Sequence, residues 1–214
     1  MQILGPDEGA LPALPETPIL ERYLFEAPMV PVALLVVIAL IALLVGLRSS
    51  KPKGPVISAL VMLVLAAGVY ITAGQVTTDR EVITERTAEL IGAIAESDVQ
   101  AMRSTMAESV RLGHSDNASS VATRVPRLTG RDRIESTVNT VLGEQGSPQR
   151  LVGSHQILET RAGLDGKNTG RTLVRVRVRG PGDAFVNHSW WEVTWKRIDS
   201  VWQATRVEAI WIQG

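Results

Sequence analysis

Hydrophobic and polar positions divide the chain into two regimes. From Met29 to Leu47 it reads MVPVALLVVIALIALLVGL, without a single charge. A second uncharged stretch covers residues 54–78, with its apolar heart between Val56 and Ala73. At a rise of about 1.5 Å per residue, each run is long enough to cross a hydrocarbon layer of roughly 30 Å as a helix. The pattern predicts a transmembrane hairpin over 29–78, with spans at 29–47 and 55–74. Pro28 and Pro31 stand at the start of the first span, where an unpaired N–H costs nothing. Pro52 and Gly54 break the connector, and Pro55 opens the second span. Residues 1–28 form an N-terminal tail, irregular over 1–18, with Ile19–Glu26 either a short amphipathic turn or a continuation of a flexible tail.

After Thr78 the period shortens to that of soluble helices. Val82, Ile83, Leu90, Ile91 and Ile94 mark one helix to about residue 95, opened by the capping pattern Thr78-Asp79-Arg80-Glu81. Ser97-Asp98-Val99-Gln100 repeats that pattern. It predicts a second helix carrying Val99, Met102, Met106 and Val110, with Asp98 as a cap rather than a base. A polar loop is expected over Gly113–Ser120. Ile134, Val138, Val141 and Leu142 mark a third helix, closed near Gly143 or Gly146. Strand alternation then takes over. Candidate strands are 150–160, Leu173–Arg179, Phe185–Arg197 and Val201–Ile212. They are separated by turn residues at Gly166–Gly170, Pro181-Gly182-Asp183 and Asp199-Ser200. Residues 79–214 therefore read as an α+β domain, three helices packed on a curved antiparallel sheet.

Composition narrows the function classes. Of 214 residues, 45% are hydrophobic, and 22 basic side chains balance 22 acidic ones. There is no cysteine, which excludes a disulfide scaffold, a thiolate nucleophile and a Cys-ligated metal site. The balanced charge argues against a nucleic-acid binder. Charge placement gives an orientation. The connector carries Arg48, Lys51 and Lys53, whereas the tail has Arg22 against Asp7, Glu8, Glu16, Glu21 and Glu26. The positive-inside rule then places the connector in the cytoplasm and both termini outside a cell membrane. Neither span holds an ionisable residue, so the hairpin reads as an anchor rather than an ion path.

The succession AIAESDVQAMRSTMAESVRL, GRDRIESTV and WWEVTWKRIDSVWQATRVEAI resembles the NTF2-like or SnoaL-like superfamily. The shared features are the corner at Ser97-Asp98, the short segment at Ser109-Val110, and Trp195 facing Trp202 across a turn. That turn is Asp199-Ser200, with Ser where the family usually has Gly. The resemblance implies a cone-shaped half barrel with a pocket between sheet and helices. The superfamily contains isomerases and dehydratases as well as non-catalytic binding and assembly modules, so shape does not fix chemistry.

Candidate chemistry is sparse. His155 and His188 are the strand histidines, and alternation places His188 on one face with Trp190 and Glu192; His155, His188 and Glu192 are the candidate catalytic residues, the last two if that face lines a pocket. No histidine spacing suits a metal, and no motif calls for a cofactor. Arg175, Arg177 and Arg179 project from one face of one strand. They form either a solvated row paired with Glu192 or Glu208 or a docking surface for an acidic partner or anionic head groups. All five tryptophans lie from Trp190 onward. Trp191 and Trp195 should pack beneath the helices with Val193, while Trp190 and Trp211 are candidates for a pocket mouth or a homodimer surface. The expectation is a membrane-anchored, non-catalytic binding or assembly module on the extracytoplasmic side. Its expected partners are the lipid bilayer, a protein or second copy against the sheet, and a small apolar ligand, with no nucleic acid. The alternatives are an isomerase or dehydratase using a pocket histidine, and an accessory subunit of a larger membrane complex.

Overall fold

The computed structural model describes residues 11–16, 29–48, 53–73, 77–144, 147 and 150–213. They fall into two units. The first comprises helices α1, Met29–Arg48, and α2, Lys53–Ala73. Its buried residues are all small: Ala39 and Gly46 on α1, Ala59 and Ala66 on α2. Small residues let two backbones approach closely. Large side chains such as Leu34, Leu44, Leu60 and Val64 are instead more than half exposed. Both helices are long and apolar enough to cross a membrane. The turn expected at Ile19–Glu26 and the connector residues Ser49–Pro52 lie outside the described residues.

The second unit holds everything from Asp79 onward together with residues 11–16. Helix α3, Asp79–Glu96, buries Ile83, Thr87, Leu90 and Ile91, the three-and-four spacing of one helical face. Helix α4, Val99–Thr105, starts at Asp98, whose carboxylate accepts the N–H groups of Gln100 and Ala101 at 3.0 and 3.1 Å. Asp98 is a cap, as its sequence position implied, although the cap stands at Asp98 and not at Ser97. Helix α5, Arg131–Leu142, ends at Gly143, which has φ +87°.

Six strands form one sheet in the order β2-β1-β6-β5-β4-β3. They are β1 Met106–His114, β2 Leu128–Thr129, β3 Ser154–Gly166, β4 Thr169–Arg179, β5 Val186–Ile198 and β6 Val201–Ile212. Two expectations change here. Met106 and Val110 do not continue a helix: α4 stops at Thr105 and the chain becomes β1. Strand β1 pairs with β6 in parallel, so the sheet is mixed, while all its other pairs are antiparallel. The methionine spacing fits a helix, but pairing with the edge of β6 overrides that local pattern. Register shifts at Trp190/Trp191 and Thr194/Trp195 mark bulges, which bend β5 and β6 around the helices.

Alternation gives the sheet two unlike faces. The inner face carries Val174, Val176, Trp191, Val193 and Trp195 and packs against α3, α4 and α5. One polar chain bolts it to α3. Trp195 Nε1 donates to Thr172 Oγ1 at 3.0 Å, Thr172 and Thr87 hydroxyls meet at 2.9 Å, and Thr87 Oγ1 donates to Ile83 O at 2.6 Å. Thr87 spends its only proton on Ile83, so Thr172 is the donor between the two hydroxyls. The outer face carries Leu173, Trp190 and Ile210, a small cluster covered by Leu11, Leu14 and Trp211. The N-terminal segment thus lies across the sheet's back. It passes so close to β3 at Gly163 that a Cβ there would come within 2.8 Å of Pro15.

Candidate functional site

The inner face does not fill the cone. A cavity of about 430 Å³ remains between α3, α5 and strands β4 to β6. Ile91 and Ile94 of α3, Val138 and Leu142 of α5, and Val176 and Trp191 of the sheet are among its walls. Its polar lining residues are Thr137, Asn187 and Ser189. Each already has a partner: Thr137 Oγ1 donates to Arg133 O, Asn187 Nδ2 donates to Gln213 O, and Ser189 Oγ accepts from Trp191 Nε1. None of the described residues lining the cavity is ionisable. Its volume lies within the roughly 300–1,000 Å³ of small-molecule sites. Val141, Leu151 and Phe185, each more than two-fifths exposed, belong to both the lining and the solvent surface. At the end of α3, Arg150 donates to Ala95 O, a cation on unpaired helix carbonyls.

The candidate bases are not gathered around this space. His188 and Glu192 alternate with the lining residues Asn187, Ser189 and Trp191, so they lie on the outer face. His155 is on edge strand β3 opposite Val178, near Gly92 of α3, and borders a separate polar cleft. The pairing expected of the arginine row also differs. Glu192 and Glu208 oppose each other across β5 and β6. It is Arg171 that reaches Glu192, at 3.4 Å, and it also forks onto Asp165 at 3.0 Å. Arg179 pairs with Asp183 at 3.3 Å. Burial raises the Glu208 carboxyl above its ordinary range, with Glu192 and Asp116 adding to the effect. Burial also lowers the His188 imidazole, and the charges of Arg175 and Arg177 lower it further. Trp190 is buried and Trp211 half-buried, both against the N-terminal segment rather than at the cavity.

Some organising residues had no distinct sequence signal. Glu135 on α5 has a side chain only 6% exposed and holds both Arg103, at 3.1 Å, and Arg131, at 3.7 Å. Only the i,i+4 relation of Arg131 and Glu135 is visible along the chain. Asp79 accepts from Arg197 and from Trp202 Nε1, tying the start of α3 to the last hairpin. Arg197 also stacks 4.9 Å from the Trp202 ring centre. Among the described residues, no group of histidines and carboxylates is placed to hold a metal ion.

Comparison with known proteins follows the domain boundary. The family described as SnoaL-like domain matches residues 75–208. No curated protein matches the chain. Among solved structures, an NTF2-like protein of unknown function from Shewanella oneidensis is 13% identical, covering 62% of this chain and 98% of its own, with a TM-score of 0.46. An NTF2-like protein from Cytophaga hutchinsonii is 12% identical, with 62% and 98% coverage and a TM-score of 0.47. The association domain of C. elegans CaMKII is 13% identical, with 60% and 92% coverage and a TM-score of 0.45.

Proposed function

The chain belongs to the SnoaL-like family, and on that premise we propose that it is a membrane-anchored, non-catalytic binding module whose cone takes a small apolar molecule. The family includes both enzymes and non-catalytic members, so the choice rests on the site. The observation that carries it is the cavity lining. A general acid or base must stand within hydrogen-bond reach of its proton, and none of the described lining residues is ionisable. Only three of the described lining residues are polar and each has at least one partner, so an incoming molecule is held mainly by apolar burial. At about 25 cal/mol per Å² of apolar surface, burying a ligand of 200 Å² contributes about 5 kcal/mol before ordering costs. An isomerase or dehydratase reading finds no support in the placement of His155, His188 or Glu192.

Anchoring draws on two further observations. The helix pair leaves its large apolar side chains exposed, whereas a soluble core helix would bury them. Residues 11–16, which precede both helices, pack in one unit with the domain that follows them. Two crossings return the chain to the side it left, which fits that packing; one crossing would not. The basic connector then favours both ends on the extracytoplasmic side.

The test is native mass spectrometry of the full chain released from detergent micelles, beside a Val138→Phe variant that fills the cavity. The wild type should carry a bound apolar molecule. The variant should lack it and melt no lower. Equal retention by the filled variant would overturn the reading. A reporter active only outside the cytoplasm, fused after Gly214, tests orientation: activity is expected, and an intact but inactive fusion would reverse it.

A further inference from the structure

Much of the outer face of the sheet neutralises its charges in pairs, while Arg175 and Arg177, like the exposed Arg111 and Lys196, have no carboxylate partner among the described residues. Arg161 meets Glu159 at 2.6 Å, Arg171 meets Asp165 and Glu192, Arg179 meets Asp183, and Arg206 meets Glu208 at 3.6 Å. Arg175 and Arg177 stand between these pairs on β4. Neither reaches a carboxylate among the described residues, and the Nε–H of each is buried without an acceptor. Arg177 occupies the middle of a row across three strands, with Gln156 of β3 on one side and His188 of β5 on the other. It donates to Gln156 Oε1. His188 is 5% exposed, and its Nδ1 has no partner. Arg177 and Gln156 also border a polar cleft of about 330 Å³, together with Ser154, His155, and the paired Arg179 and Asp183; Arg175 lies beside it on the same face.

We propose that this end of the outer face is an oxyanion-binding site, with Arg177 at its centre, Arg175 as the second cation, and Gln156 and Ser154 as neutral donors. The ligand class is a phosphate or carboxylate group. Two guanidinium groups two residues apart on one face of a strand repel each other, and an oxyanion held by their outer N–H groups relieves that repulsion. A planar guanidinium presents its donors as a fork that matches phosphate and carboxylate oxygens. The other acids of this face are committed elsewhere: Glu159 to Arg161, Asp183 to Arg179, Glu192 to Arg171. The site is separate from the apolar cavity and does not depend on what fills it. A bound oxyanion would offset the arginine charge that faces His188, so that imidazole is a built-in reporter.

The source of the oxyanion is either a soluble molecule or a lipid head group, and the experiment separates them. The full chain, isotopically labelled in non-ionic detergent, is followed through its three histidine ring C–H resonances. His188→Asn assigns the relevant one. Inorganic phosphate, titrated at constant ionic strength against chloride, should move the His188 resonance saturably if the site takes soluble oxyanions. Nanodiscs of phosphatidylcholine with phosphatidic acid should move it, relative to phosphatidylcholine alone, if the site takes head groups. Either response should vanish in Arg177→Gln, weaken about tenfold in Arg177→Lys, which keeps charge but loses the fork, and persist in Arg133→Gln. Thermal unfolding checks that the variants fold; if Arg177→Gln does not, Arg177→Lys and Arg175→Gln decide. A response in neither arm, one reproduced by chloride, or one that survives loss of both Arg175 and Arg177 would overturn the proposal.

Discussion

The two faces of one sheet, built from alternate residues of the same strands, solve opposite problems. On β5, Ser189, Trp191, Val193 and Trp195 point toward the helices, while His188, Trp190 and Glu192 point away. The inner face is held by volume: fully buried side chains, one chain of hydroxyls and an unfilled apolar space. The outer face is held by charge pairing and a single strip of N-terminal chain. Apolar burial on the first responds little to pH, whereas the second carries His188 and Glu208, whose pKa values their surroundings shift. If this division is right, substitutions on the two faces should differ in size and in their response to pH.

The largest effect belongs to the inner face. Trp195 is fully buried, and its Nε1 anchors the Thr172–Thr87 chain. Trp195→Ala should cost about 3–5 kcal/mol, with the same loss at every pH where the wild type is folded. Denaturant unfolding at several pH values measures it. A loss below about 1 kcal/mol would mean that the core relaxes around the site. On the outer face, Leu11 and Leu14 are only half-buried. Replacing both by Ser should cost about 2 kcal/mol in all and accelerate indole N–H exchange at Trp190. Unchanged exchange would show that the segment does not cover Trp190 in solution.

How much of this division could be read along the chain differs by face. Alternation assigns Val174 and Val176 to one side and Arg175 and Arg177 to the other, and it pairs Trp191 with Trp195 correctly. It carries no information on which side faces helices, so His188 and Glu192 could be grouped but not placed. The cavity is a volume left between elements, and no local pattern encodes it. Met106 and Val110 misled because their spacing suits a helix and their strand partner, β6, comes almost a hundred residues later. The strands pair with Leu173 opposite Glu192, which sets Arg171 and Arg175 on its two diagonals, and it is Arg171 that reaches it. The cover from Leu11 and Leu14 had no signal at all, since it joins two regions separated by both apolar helices.

A smaller effect, of opposite sign, lies in the last hairpin. Asp199 and Ser200 have φ of +49° and +67°, the backbone of a two-residue turn that favours glycine. Left-handed backbone costs a residue with a Cβ about 1–2 kcal/mol, offset in part by the entropy glycine loses on folding. Ser200→Gly should therefore stabilise the domain by about 0.5 kcal/mol, read as a higher denaturation midpoint with unchanged slope. A lower midpoint would mean that the Ser200 side chain contributes something the turn geometry does not reveal.

The smallest expected effect tests the outer face, which carries both His188 and Glu208, the imidazole and the carboxyl that their surroundings shift. Burial and then Arg175 and Arg177 place the His188 pKa below its ordinary value of 6.5. The unfolded chain, with an imidazole near 6.5, then binds a proton more readily than the folded one. Above that pH both states are neutral and His188 leaves stability unchanged. As the pH falls from 6.5 through the folded pKa, the unfolded state gains protons first and stability declines. Glu208 works in the other direction. Its folded pKa is raised above the ordinary 4.5 by burial first, so the folded state takes up its proton earlier and stability rises as the pH falls toward 4.5. The two contributions meet between these limits, and Glu208→Gln removes the second. In that background, His188→Asn should abolish the acid-side decline, and Arg175→Gln should reduce it by removing one of the two charges. Trp195→Ala should leave its shape untouched. A decline that persists without His188 would place the titrating group elsewhere and break the link between this face and its buried imidazole.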